Sequence, residues 1–277
     1  MRRWRTRAPM GQKKKPPFFP TCPKPPISLH TSPAFFLYSR CPHLSGLQLS
    51  GCASLRQPHT LATGYLRTLD ISHSAVSEQT LSELFKKAPR LRRLDMSGLG
   101  NLSSPELGGG ELRVLVCTAC EQIEDAAVGA ACAASPQLRT LSLSLCTSLQ
   151  FPLVLAPQLT EANMSGCTAL RDGALRRMLD ASPQLSRLSL AACASLVAPM
   201  LESESLKRLD LSHCIRLELP RLGGVSLQIL NLSGCKLLRD QALQRVSEAA
   251  PTLFKLDISG CAALNAPQLP RALAAAS

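Results

Sequence analysis

Leucine recurs along most of this chain at offsets of three and then two residues, a spacing that fits neither a continuous helix nor a long alternating strand. The pattern is clearest between Leu206 and Cys235, where L-x-x-L-x-L-x-x-C occurs twice. The copies are Leu206, Leu209, Leu211, Cys214 and then Leu227, Leu230, Leu232, Cys235, opening 21 residues apart. The phrase first appears as Leu44, Leu47, Leu49, Cys52 and reopens at Leu66, Leu91, Leu112, Leu138, Leu159, Leu185, Leu206, Leu227 and Leu253. From Leu66 onward the intervals are 25, 21, 26, 21, 26, 21, 21 and 26 residues. Two unit lengths alternate, and two short units adjoin once, at Leu185 and Leu206.

Each phrase predicts a short strand whose second and third leucines point inward, with the strands of successive units stacked in parallel. Long units continue into Ala- and Leu-rich segments that stop at a proline: Ser77–Pro89, Glu124–Pro136, Arg171–Pro183 and Arg239–Pro251. These predict helices, with Asp240 able to cap the last of them and Leu243 and Val246 facing the core. Short units carry segments such as Ser103–Gly110 and Phe151–Pro157, too rich in Pro and Gly for a helix, so their outer face is expected to be extended. Where two short units adjoin, the outer wall should thin and the curvature change. Repeats of this length and leucine spacing are the signature of leucine-rich repeats. The predicted fold is therefore an α/β solenoid, a horseshoe with a parallel concave sheet and alternating helical and extended convex segments.

Composition then sets the limits of that domain. Residues 1–40 are basic and proline-rich, have no detectable period and are expected to be disordered, whereas residues 41–277 hold the repeat domain of about ten units. The net charge of +12 suggests a polyanion partner. Its distribution argues otherwise: Met1–Leu69 contains eleven cations and no acid, leaving twenty basic against nineteen acidic residues beyond it. The repeats are close to neutral, so nucleic acid is not the expected partner of the fold. Lys13–Lys15 and the acid-free leader leave nuclear or organelle import as lesser readings of that segment, beside a misplaced start. No apolar run approaches the ~18 residues of a membrane span. Eight of the twelve cysteines (Cys52, Cys120, Cys146, Cys167, Cys193, Cys214, Cys235 and Cys261) share one phase of the repeat. Equal phase means equal direction, which opposes disulfide pairing and favours buried thiols in a reducing compartment, cytoplasm or nucleus.

The long units at Leu112–Val128, Leu159–Leu175 and Leu227–Leu243 follow L-x-x-L-x-L-x-x-C-x-x-L/I-x-D-x-x-L, with Cys117, Val128, Ala162 and Met164 standing where the pattern has leucine. In this they resemble the cysteine-containing repeats of the F-box/LRR-repeat protein family, and the alternation with short Pro-containing units resembles plant members. The resemblance covers roughly residues 44–269. It implies a substrate-recognition subunit of an SCF-type ubiquitin ligase, with a protein substrate held on the concave face. An SCF adaptor would bind only through an F-box, and no helical module with a Leu-Pro opening precedes the repeats. The chain is then expected to be either a fragment or a repeat-only relative, with a general interaction scaffold as the alternative function. Neither terminus offers a polar capping face, which predicts poor solubility of the isolated chain.

Two rows alternate with the inward leucines and should line the concave face. Their chemically informative members are Arg93, Glu161, Arg187, Arg208 and Lys255 in one row and Asp95, Asn163, Asp210, Asn231 and Asp257 in the other. These ten are the candidate partner-binding residues, the stretch from Glu161 to Asp257 foremost. The bland reading is that Arg/Asp alternation only solvates the sheet and pairs across strands. Cys117 and Cys120 have the spacing of half a zinc site, but the repeat accounts for both, so no metal is expected. His73 and His213 share a phase with Gly98, Gly166, Gly234 and Gly260, which reads as a surface position tolerant of variation. No P-loop, GxSxG, HExxH or isolated carboxylate pair is present, so neither catalysis nor a cofactor is expected.

Overall fold

A computed structural model describes residues 43–52 and 64–264; the predicted disordered leader and the C-terminal residues 265–277 lie outside them. Ten three-residue strands form one parallel sheet. They are β1 (Gly46–Gln48), β2 (Thr68–Asp70), β3 (Arg93–Asp95), β4 (Val114–Val116), β5 (Thr140–Ser142), β6 (Glu161–Asn163), β7 (Arg187–Ser189), β9 (Arg208–Asp210), β11 (Ile229–Asn231) and β12 (Lys255–Asp257). Every pairing is in register with the repeat, so Leu188 lies beside Leu209 and Leu209 beside Leu230. Four helices cover the convex side of the long units: α1 (Glu78–Lys87), α2 (Asp125–Ala134), α3 (Asp172–Ala181) and α4 (Asp240–Ala249). The sequence-predicted leucine-rich-repeat solenoid is the observed fold.

The two remaining strands, β8 (Met200–Glu202) and β10 (Arg221–Gly223), belong to the adjoining short units and pair with each other in parallel on the convex side. Extended outer segments were expected; their pairing follows from adjacency, because elsewhere a helix separates one extended segment from the next. The wall is thinner here, and a hollow of about 560 Å³ opens over the strands between α3 and α4. At Phe151–Leu155 the extended form shows as strict alternation, with Pro152 and Val154 buried and Phe151, Leu153 and Leu155 exposed.

Apolar residues at the first, fourth and sixth positions of each unit, mostly leucine but also Ile71, Met96, Cys117, Ala162 and Met164, fill one continuous core. The cysteine phase adds polar links within it. Each buried thiol donates to the carbonyl that ends the strand of the preceding unit: Cys146 to Cys117 at 3.0 Å, Cys167 to Leu143 at 3.0 Å, Cys193 to Met164 at 3.1 Å, Cys214 to Leu190 at 3.2 Å and Cys235 to Leu211 at 3.1 Å. The unit opening at Leu91 has Leu99 at this phase and offers no donor. The orphaned Ile71 carbonyl is satisfied instead by the Ser74 hydroxyl of its own unit.

The residue before the cysteine is not tolerant in the way its variability suggested. In all ten described units it adopts a left-handed backbone, from Gly51 and His73 to Leu145, His213 and Gly260. That conformation aims its N–H at the next unit: His73 donates to the Ser97 carbonyl at 2.7 Å, Leu145 to Ser165 at 2.7 Å and His213 to Ser233 at 2.7 Å. Side chains vary, but each bulky one (His73, Leu145 and His213) is followed in the next unit by glycine for a reason. A Cβ on Gly234 would meet the His213 ring at 2.6 Å, and one on Gly166 would meet Leu145 at 2.5 Å.

Helix starts also differ from expectation. Arg239 holds the N-cap position without a side-chain bond, and Asp240 is the first helical residue, where its charge suits the helix dipole. The equivalent acids of the earlier helices clasp the following unit. Asp125 accepts the N–H groups of Gln150 and Phe151 at 3.0 and 2.8 Å, Asp172 those of Val197 and Ala198 at 3.1 and 3.0 Å, and Glu78 those of Ser103 and Ser104 at 2.8 Å each. The Ser104 and Ser103 backbone donors hold the Glu78 carboxyl below its usual range.

Two stability predictions follow from buried polar groups. Ser135 and Ser182, which end α2 and α3, each bury a hydroxyl that has no hydrogen-bond partner, while the matching positions are Ala88 and Ala250. Ser135→Ala and Ser182→Ala should each stabilise by about 1 kcal/mol in urea unfolding, and a loss of stability would show that the hydroxyls are satisfied. Burial pushes the Cys167 and Cys214 thiols up to about 11 and Cys235 up to about 12. Folded values above the unfolded value of about 8.5 give stability that is complete below about pH 8.5 and is lost as pH rises toward the folded values, by up to ~1.4 kcal/mol per thiol per pH unit. The urea midpoint should therefore fall steeply from about pH 8 to about pH 10, less so in Cys167→Ala/Cys214→Ala; equal midpoints at the two pH values would refute burial of these thiols.

Candidate functional site

Strands of three residues leave two outward side chains each, and β6, β7, β9, β11 and β12 bring theirs together over a concave hollow of about 360 Å³. Eight of the ten candidate residues line it: Glu161, Asn163, Arg187, Arg208, Asp210, Asn231, Lys255 and Asp257. Arg93 and Asp95 lie apart on β3, separated from the hollow by the uncharged Val114, Val116, Thr140 and Ser142 of β4 and β5. Ser189 and Ile229 also line the hollow and were in the same rows. Their plain chemistry gave no reason to single them out.

The acidic and amide row has a structural duty that solvation and cross-strand pairing do not describe. At each strand end the side-chain oxygen accepts the N–H of the residue two positions on: Ser97 to Asp95 at 3.1 Å, Ser165 to Asn163 at 3.0 Å, Ser212 to Asp210 at 2.9 Å, Ser233 to Asn231 at 3.0 Å and Ser259 to Asp257 at 3.0 Å. These are Asx turns, and most are reinforced by the serine hydroxyl, as from Ser259 to Asp257 at 2.7 Å. The Ser259 N–H, followed by its hydroxyl, holds the Asp257 carboxyl below its usual range. The signal was present in the sequence as Asp or Asn followed two residues later by Ser. Only one oxygen of each side chain is used this way, so Asp210 and Asp257 keep the other for a partner.

The basic row is paired once. Arg187 reaches Glu161 on the neighbouring strand at 3.1 Å, with both side chains about half exposed (53% and 42%), a contact worth only a few tenths of a kcal/mol to stability. Arg208 is the neighbour of Arg187 in register on the other side. Among the described residues no acid comes within ion-pair distance of Arg208, Lys255 or Arg93. The hollow thus presents Arg208 and Lys255, neither within ion-pair distance of an acid among the described residues, with Lys255 near enough to Asp257 to help hold its carboxyl low, over an apolar floor that includes Leu209 and Leu230.

The cysteine pair outside the hollow is structural. Cys117 and Cys120 are both buried, and Cys120 donates to the Met96 carbonyl at 3.3 Å as one rung of the thiol ladder. Among the described residues no three His, Cys, Asp or Glu side chains stand close enough to hold a metal. No described helix is long and apolar enough to cross a membrane.

No family model matches the chain, and no curated protein does. Among solved structures, a chain of the crystal structure of the Rad7 and Elc1 complex in yeast is similar, with a TM-score of 0.52 and 19% identity over 86% of this chain. The match spans 55% of that chain's length. The likeness is one of fold.

The Asx turns allow structural and binding roles to be separated by substitution. Asp210→Asn keeps the acceptor for the Ser212 N–H, as Asn163 and Asn231 already do, and should leave stability within about 0.5 kcal/mol, whereas Asp210→Ala should cost about 1 kcal/mol. Equal effects of the two substitutions on thermal unfolding would contradict the turn assignment.

Proposed function

We propose that the concave hollow captures a protein partner, and that the chain acts as the substrate-recognition part of an SCF-type ubiquitin ligase. The observation that carries the first step is that Arg208 and Lys255, neither in a close ion pair among the described residues, stand on one sheet with carboxylates that each use one oxygen in a turn. Charge left unpaired on an ordered surface gives specificity when a complementary surface desolvates it. Concave sheets of stacked repeats are also the surfaces such folds use for recognition. The second step rests on the resemblance of the long units to the cysteine-containing repeats of F-box/LRR proteins. It is further supported by a structural neighbour found in a two-protein complex. Contact with an SCF adaptor belongs to this reading only for a chain that carries an F-box upstream. The ten described cysteines are free thiols, which suits a reducing compartment, cytoplasm or nucleus. The reading is one of binding without catalysis and without a cofactor.

The alternative is an interaction scaffold with no ligase connection, and one experiment addresses both. Affinity purification with quantitative mass spectrometry would compare the wild-type chain with Arg187→Ala/Arg208→Ala/Asp210→Asn, chosen to preserve the turn at Asp210. The expected outcome is one or more partners lost by the variant, whose abundance rises when the proteasome is inhibited. Partners retained in full by a folded variant would remove the hollow as the binding site. Partners lost by the variant but indifferent to proteasome inhibition would favour the scaffold.

A further inference from the structure

The residue after the first leucine of each unit sits just before its concave strand, along the start edge of the sheet. In four successive units it is arginine: Arg67, Arg92, Arg113 and Arg139. Their backbones are joined directly, with the N–H of Arg92 donating to Arg67 at 2.7 Å, Arg113 to Arg92 at 2.8 Å and Arg139 to Arg113 at 2.8 Å. Hydrogen-bonded strands lie about 4.8 Å apart, so four guanidinium-bearing side chains spring from one line at that interval.

The repeat does not require them. In later units the same position holds Thr160, Ser186, Lys207, Gln228 and Phe254, and the main-chain ladder continues unchanged, as from Lys207 to Ser186 at 2.9 Å. Like charges set side by side on neighbouring strands are destabilising, and little here offsets them. Glu111 binds Arg92 at 3.0 Å. Among the described residues no acid comes within ion-pair distance of Arg67, Arg113 or Arg139, all of which are exposed.

We infer that this edge is a second interaction surface, built to bind an acidic, extended segment of a partner protein laid across the four units. Guanidinium forks match carboxylates two bonds at a time, and a line of them along a rigid edge matches a run of Asp and Glu side chains. Single-stranded nucleic acid would be expected to find aromatic platforms beside a basic track. Tyr65, the aromatic at the head of this row, is already engaged by the Arg90 guanidinium at 5.8 Å and the His43 ring at 5.1 Å. The surface is distinct from the hollow, which is built by β6, β7, β9, β11 and β12.

The test is fluorescence anisotropy of the full chain with labelled oligoglutamate, alongside a single-stranded oligonucleotide of equal charge. The expected result is salt-sensitive binding of oligoglutamate that weakens about tenfold or more in Arg67→Gln/Arg113→Gln/Arg139→Gln, with a thermal unfolding midpoint no lower than that of the wild type. The basic leader is present in every variant, so the difference isolates the row. Arg208→Ala should leave this binding intact, which separates the edge from the hollow. The inference is overturned if the folded triple variant binds oligoglutamate as the wild type does, or if the wild type prefers the oligonucleotide.

Discussion

Every unit of this solenoid must hand the same hydrogen bonds to the next at the same phase, and the rest of the structure depends on that constraint. The strand is three residues long, too short to fix register by itself. Register is completed at the strand exit, where an Asx turn closes the strand, a left-handed residue aims its N–H across to the next unit, and a buried thiol reaches back to the preceding one. Three different chemistries thus act within five residues, as in Asp210, Ser212, His213 and Cys214. Not every unit has all three, since β4, β5 and β7 end in Val116, Ser142 and Ser189 without an Asx turn, and Ser74 serves the carbonyl that Leu99 cannot.

On the convex side the constraint loosens, and the architecture follows local sequence. Helices form where Ala- and Leu-rich segments are long enough, and their first acids bind the backbone of the following short unit, so the outer wall is stitched as well as stacked. Where two short units adjoin, extended segments meet without a helix between them and pair. The same economy shapes the concave face. Because the inward positions and the Asx oxygens are committed to the fold, freedom to specify a partner falls to the basic row, to the second carboxylate oxygens and to the edge position occupied by arginine in four units.

The repeat phase, the parallel sheet, the helical and extended convex segments and the buried cysteines were legible because each is a matter of spacing, and spacing is written in the chain. The hollow was partly legible for the same reason: alternation places Glu161, Arg208 and Asp257 outward whatever their partners. What spacing cannot show is how a polar group is used. Asp210 could be read as a ligand-facing carboxylate, yet one of its oxygens belongs to the Ser212 N–H. His213 could be read as a dispensable surface residue, yet its backbone is fixed in a conformation chosen by the neighbouring unit. The Arg67–Arg139 row was overlooked because it lies off the alternating strand positions and carries meaning only when consecutive units are aligned.

Amide hydrogen exchange by NMR tests the register constraint most directly. The N–H groups of Leu145, Ala192 and His213 lie in turns, and open turns exchange fast. If they lock each unit to the next, they exchange as slowly as the strand amides of Leu141, Leu188 and Leu209. Rapid exchange at those three positions, with the strands still protected, would contradict the account.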